Sequence, residues 1–144
     1  MLDRARKEGK FFALLSADMN RMKYINDEYG HMNGDEAICR MGRALRCLDR
    51  YGMTPVHISG DEFLAYGITE DADAAVSMVK YVKDELERLN REDPWICDIS
   101  AGVGVYAAVP RAEDNIDIFM TRADQAMYDD KNKRKYGRRK DDLV

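Results

Sequence analysis

V-H-I-S-G-D-E-F-L-A-Y, Val56 to Tyr66, is the stretch that decides how this chain folds. Val56 to Ser59 and Phe63 to Ile68 read as two antiparallel strands joined by a tight hairpin, because Gly and Asp favour the backbone conformations such turns need. Two acids, Asp61 and Glu62, stand at the turn, and Glu followed at once by Phe-Leu is less usual turn chemistry. The hairpin makes the sheet at least partly antiparallel, and the acids raise the choice between a plain turn and a site.

Upstream, Phe11 to Ala17 (F-F-A-L-L-S-A) is a continuous apolar run of strand length, which predicts a central strand covered on both faces and ending at Asp18. Met22, Ile25 and Tyr29 follow at helical spacing, and Gly30 supplies a stop. From Asp35 the apolar positions Ala37, Ile38, Met41, Ala44, Leu45 and Leu48 keep a 3.6-residue period, with acids at the favourable end.

Downstream, Asp71 to Asn90 is helical by the same test, and Trp95 to Val105 alternates as one long strand whose glycines imply close backbone approach. A last helix runs from about Asn115 into a basic tail at about 132–144. This order predicts an α+β fold, a central mixed and mainly antiparallel sheet with helices packed on its faces, rather than a doubly wound parallel sheet.

The chain has 144 residues, 45% hydrophobic and 35% charged, which suits one globular domain spanning 1–144. A net charge of −4 argues against general nucleic-acid binding, so the basic cluster at Lys131 to Lys140 needs a local explanation. Cys39, Cys47 and Cys97 have no metal-ligand spacing and read as reduced core-edge residues of a cytoplasmic domain. No apolar run approaches a membrane span, so no membrane contact by this domain is expected. The opening M-L-D-R-A-R-K has the composition of a mid-helix, as in a piece of a longer protein.

If the first strand lies beside the hairpin, Asp18 joins Asp61 and Glu62 at one sheet edge. Clustered carboxylates repel one another and need a cation; hard oxygen ligands favour Mg²⁺ or Mn²⁺ over zinc. A Mg²⁺ ion held by so few protein oxygens completes its shell with water and phosphate, which points to nucleotide chemistry. Plainer readings stand beside this one. Asp18 alone could cap the short helix, and Asn26 and Asp27 alone could be a polar helix face. An EF-hand is excluded, since Lys23 occupies the position that needs Gly. His31, beside Gly30, reads as a packing or hydrogen-bonding residue rather than a base.

Four stretches in order resemble the GGDEF family of diguanylate cyclase domains. Asp18 to Asp35, D-M-N-x-x-K-x-I-N-D-x-Y-G-H-x-x-G-D, is similar to the family's D-x-D-x-F-K-x-I-N-D-x-x-G-H-x-x-G-D, and Ser59 to Phe63 resembles the signature itself. Ile99 to Val105 resembles the Ser-Ile-Gly strand, and Arg122 to Lys131 (R-A-D-Q-A-M-Y-D-D-K) resembles A-D-x-A-L-Y-x-A-K. The resemblance implies a fold like the polymerase palm and nucleotide cyclase core, and the condensation of two GTP to cyclic di-GMP with loss of two pyrophosphates. It also implies a homodimer, each subunit holding one GTP, and fusion to a sensory or dimerising domain, in the cytoplasm or as the cytoplasmic part of a membrane-anchored protein.

Residue by residue, the resemblance implies that Asp18, Asp61 and the main-chain carbonyl of Met19 hold metal ions, and that Glu62 assists the metal or the deprotonation. Asn26 and Asp35 would recognise guanine and ribose, and the chemistry agrees: a carboxylate can accept both N1–H and N2–H, which adenine cannot supply. Lys23, Lys131 and Lys135 would meet phosphates, and Ser59 and Gly60 would line the substrate.

Four positions depart from the pattern. Ser59 replaces the first signature Gly, Asn20 replaces the second Asp of D-x-D, and His57 stands where Arg is common. An R-x-x-D motif reads Arg50-Tyr51-Gly52-Met53, which predicts no feedback by cyclic di-GMP there. Two functions follow: a working diguanylate cyclase, or a weak or silent GGDEF-like module that binds GTP or a protein partner.

Overall fold

The computed structural model describes residues 1–142, with side chains through Lys133. In chain order come α1 (Leu2–Glu8), β1 (Phe11–Met19), α2 (Met22–Tyr29), α3 (His31–Leu45) continued by a 3-10 segment (Arg46–Tyr51), β2 (Thr54–Ser59), β3 (Glu62–Thr69), α4 (Ala72–Glu92), β4 (Ala101–Ala108) and α5 (Ile116–Asp142). The strands form one sheet in the order β2-β3-β1-β4. Every pairing is antiparallel.

Strand β1 lies inside the sheet, and Phe12 to Ala17 are all buried because both faces are covered. Ala13, Leu15, Ala17 and Met19 face the larger core, which holds Ile25, Met41, Leu45, Met78 and Val82 from the helices. Phe12 and Leu14 face the opposite side, with Ala5, Phe119 and Ala123. The Phe12 and Phe119 rings meet edge to face at 5.1 Å, the arrangement their quadrupoles favour. Two-sided burial is why β1 reads as a continuous apolar run rather than an alternation.

Strand β1 runs one residue past Asp18, to Met19. Asp18 is therefore a strand residue and not a helix cap; the N-cap of α2 is Arg21, in the left-handed region at φ 63°. Helix α3 begins at His31, four positions before the predicted start at Asp35. Gly30, at φ 86°, turns the chain between the two helices, and Asn33 Nδ2 donates to the Tyr29 carbonyl at 2.7 Å. Asp71 caps α4 by accepting the Ala74 N–H at 2.8 Å.

The predicted strand from Trp95 to Val105 is corrected: β4 begins only at Ala101. The Asn90 side chain accepts the Ile99 N–H at 2.9 Å and donates to the Ile99 carbonyl at 2.9 Å, so the Ile99 N–H is not free to join a ladder. Buried Arg40 holds the preceding chain by donating to the Asp93 carbonyl at 2.8 Å and stacking 5.1 Å from the Trp95 ring. Cys39 is exposed rather than at the core edge, whereas Cys47 and Cys97 are half-buried.

The strand glycines do mark a close approach. A Cβ on Gly104 would lie 2.1 Å from Met127 N, so the α5 backbone rests directly on β4.

Candidate active site

The sheet register assembles the acidic edge. Asp18 sits opposite Glu62 on β3 and opposite Gly102 on β4. The Asp61 carbonyl accepts the Met19 N–H at 2.9 Å, which ties the hairpin turn to the end of β1. Thus residues distant in sequence share one edge because β1 lies between β3 and β4.

Asp18 points to the α5 side of the sheet. Its Oδ1 is enclosed by protein and lies 3.2 Å from Lys131 Nζ, an ion pair that lacks hydrogen-bond alignment. Burial raises the Asp18 carboxyl above its ordinary value; Lys131 opposes that shift, and the neighbouring Asp61 carboxylate adds to it. Lys131 reaches Asp18 by crossing β4 over Gly102, where a Cβ would come within 2.4 Å of Lys131 Cγ. Gly102 therefore provides the path for the lysine stem.

A cavity of about 310 Å³ opens between this part of the sheet and α5, lined by Asp18, Glu62, Ile58, Asp124 and Tyr128 among others. Ser16 Oγ donates to Asp124 Oδ1 at 2.6 Å, fixing α5 to β1 one ladder step from Asp18. Glu62 itself is exposed, and Asp61 is half-buried in the turn. Among the described residues no three His, Cys, Asp or Glu side chains converge as a closed metal cage. What the edge offers is two neighbouring carboxylates, Asp18 and Asp61, and an enclosed oxygen whose counter-charge is a lysine. That set fits a Mg²⁺-type ion, which takes one or two protein carboxylates and fills the rest of its shell with phosphate and water.

The turn holds its variant residue without strain. Ser59 is the last residue of β2, paired with Glu62, and its φ is not positive. Gly60 takes the left-handed conformation instead, at φ 48°. His57 Nε2–H donates to the Gly60 carbonyl at 2.9 Å, a tautomer fixed by the fact that a carbonyl only accepts. Its ring stacks on Phe63 at 4.7 Å. Asn20 is tied to the segment before β4: its N–H donates to the Ser100 carbonyl at 2.8 Å and its Nδ2 to Ser100 Oγ at 3.1 Å.

Of the two residues predicted to recognise the base, Asn26 lies on α2 and Asp35 on α3. Asn26 packs on Gly34, where a Cβ would fall 1.8 Å from Asn26 Oδ1, and Asp35 follows Gly34 on the exposed side. Lys23 and His31 are exposed on the first turns of α2 and α3. The Arg50 guanidinium lies 4.7 Å from the Tyr81 ring centre. The side chain of Lys135 lies outside the described residues. The contacts of Asp124 with Ser16 and of Lys131 with Asp18 were not visible in the sequence, although the strand glycines signalled a close backbone approach.

The family model described as "Diguanylate cyclase, GGDEF domain" matches residues 1–136. The chain is 30% identical to diguanylate cyclase DgcM of Escherichia coli (strain K12) over 121 residues, which cover 84% of this chain and 28% of that protein. It is 32% identical over 139 residues to MucR of Pseudomonas aeruginosa, a bifunctional diguanylate cyclase/cyclic di-GMP phosphodiesterase, covering 94% of this chain and 20% of that protein. The chain thus spans less than a third of either relative. The crystal structure of the GGDEF domain of YfiN (TpbB) from Pseudomonas aeruginosa superposes with a TM-score of 0.80 at 25% identity, covering 92% of this chain and 83% of that one. With the palm-like antiparallel sheet and the acidic edge, these likenesses establish that the chain belongs to the GGDEF domain family of diguanylate cyclases.

Proposed function

We propose that the domain condenses two GTP molecules to cyclic di-GMP and two pyrophosphates, as one half of a homodimer. In each half-reaction the 3′-hydroxyl oxygen of one GTP bonds to the α-phosphorus of the other, and the bond from that phosphorus to the pyrophosphate oxygen breaks. The observation that carries this reading is the edge formed by Asp18, Asp61 and Lys131, where two carboxylates and an ammonium meet beside a cavity.

Asp18, Asp61 and the Met19 carbonyl would hold Mg²⁺ or Mn²⁺. Bound there, the ion supplies charge neutralisation on phosphoryl oxygens and lowers the pKa of the attacking hydroxyl. Glu62, exposed and paired with Asp18 in the register, would receive the hydroxyl proton or support the metal. Lys131 would turn from Asp18 toward the triphosphate, with Lys135 and Lys23 as further phosphate-facing cations. Asn26 and Asp35 would read guanine and ribose, and Ser59 and Gly60 would line the nucleotide. Regulation would come from a sensory or dimerising segment attached to the domain.

The test is to incubate the chain, fused to a dimerising coiled coil, with GTP and Mg²⁺ or Mn²⁺ and to look for cyclic di-GMP. Product formation is expected. GTP binding without product would instead mark the domain as a regulatory GTP-binding module, and no binding at all would sink the nucleotide reading.

A further inference from the structure

Strand β4 is the last strand of the sheet, and two consecutive residues of α5 grip it from different sides. Lys131 crosses the face of β4 over Gly102 to reach Asp18 on β1. Asp130, about 100° away around the helix, reaches Val103, the next residue of β4, and its Oδ2 accepts the Val103 N–H at 3.0 Å. Its other oxygen, Oδ1, is ion-paired with Lys83 of α4. Both side chains are largely enclosed, at 18% and 25% exposure, so the pair is shielded from water far more than an ordinary surface bridge. The A-D-x-A-L-Y-x-A-K pattern has Ala where Asp130 stands, so this grip comes from the chain's own residues.

We infer that Asp130 is a positioning residue for Lys131. The Val103 bond fixes the rotation and depth of α5 on β4, and the Lys83 pair fixes its distance from α4. Together they determine where the next residue, Lys131, emerges over Gly102. Asp130 contacts no reacting atom; it acts through the lysine. The inference rests on the proposal that Lys131 meets the triphosphate, and its geometric half can be tested without that proposal.

The test compares the full chain with Asp130→Ala, Asp130→Asn and Lys131→Met. Asp130→Asn keeps an acceptor for the Val103 N–H and covers the case in which Asp130→Ala fails to fold. Affinities are measured with Mg²⁺ for 3′-deoxy-GTP, which lacks the attacking hydroxyl, and for GMP, which lacks the outer phosphates. Asp130→Ala is expected to weaken 3′-deoxy-GTP binding about fivefold, to leave GMP within about twofold, and to add nothing in the Lys131→Met background. Equal losses for both nucleotides, or additive losses with Lys131→Met, would show a merely structural role and overturn the inference.

Independently of nucleotide, the nuclear Overhauser contact between the Lys131 methylenes and Gly102 Hα should be present in the wild type. It should weaken in Asp130→Asn and vanish in Asp130→Ala. If that contact is unchanged in both variants, Asp130 does not position Lys131. If the contact responds while the wild type binds no guanine nucleotide, the positioning stands and the nucleotide reading fails.

Discussion

Lys131 Nζ lies 3.2 Å from Asp18 Oδ1, so an ammonium on α5 counters a carboxylate on the inner strand β1, the carboxylate proposed above to hold the metal ion. Removing the amine leaves an enclosed negative charge beside Asp61. With the two side chains 26% and 22% exposed, Lys131→Met is expected to cost about 1–2 kcal/mol in the presence of a chelator, between the values for exposed and buried pairs. Millimolar Mg²⁺ should recover more stability in the variant than in the wild type. Urea denaturation with and without the ion measures both effects.

The same carboxylate sets a pH dependence. Burial raises the Asp18 pKa in the folded chain above its unfolded value. The stability this contributes is fully present below the unfolded carboxylate range and is lost as pH rises through the raised folded value. Asp18→Asn, which never ionises, should therefore be more stable than the wild type at neutral pH without metal, and the gap should close on acidification. Thermal melts across pH in chelator test this; a variant less stable than the wild type at neutral pH would contradict it.

The two glycines under α5 should respond differently to a single methyl. Gly104→Ala places a Cβ 2.1 Å from the Met127 backbone nitrogen, so the helix itself must shift, at about 1–3 kcal/mol. Gly102→Ala meets the flexible Lys131 stem at 2.4 Å, which can move aside at less cost. Gly104→Ala should thus lower the denaturation midpoint more, whereas Gly102→Ala should weaken GTP binding out of proportion to its stability loss. Midpoints and nucleotide titrations on the two variants separate these effects.

Much of this architecture was legible because local patterns carry it. The continuous apolar run of β1 and the 3.6-residue period of α3 and α4 report burial on two faces and on one stripe. The acids were legible as candidates, but their meeting depended on β1 lying beside β3, a pairing that no local pattern encodes. The segment from Trp95 to Ser100 misled because alternation cannot reveal that the Asn90 side chain takes both backbone groups of Ile99. The start of α3 was hidden for a related reason: Gly34 looks like a helix breaker, yet it is there to admit the Asn26 side chain. Ser59 departs from a signature Gly, and the structure shows the left-handed conformation one residue later, at Gly60.

The cysteines offer a check on packing away from the site. Burial pushes the Cys47 thiol up to about 11, with the Glu85 carboxylate adding to the shift. Its thiolate is therefore scarce until the pH approaches that value, and the associated stability, present below the unfolded thiol range, is lost as pH rises through it. Iodoacetamide labelling followed by mass spectrometry should modify exposed Cys39 at moderately alkaline pH while Cys47 stays unmodified.

The most direct test of the central claim is the yield of cyclic di-GMP from GTP and Mg²⁺ by the dimerised chain and by its Asp61→Asn variant. The wild type should form product, and Asp61→Asn should lose at least about a hundredfold, as expected when several kcal/mol of transition-state charge stabilisation are removed. Full turnover by Asp61→Asn would contradict the assignment of the hairpin acids to the metal-bound reaction.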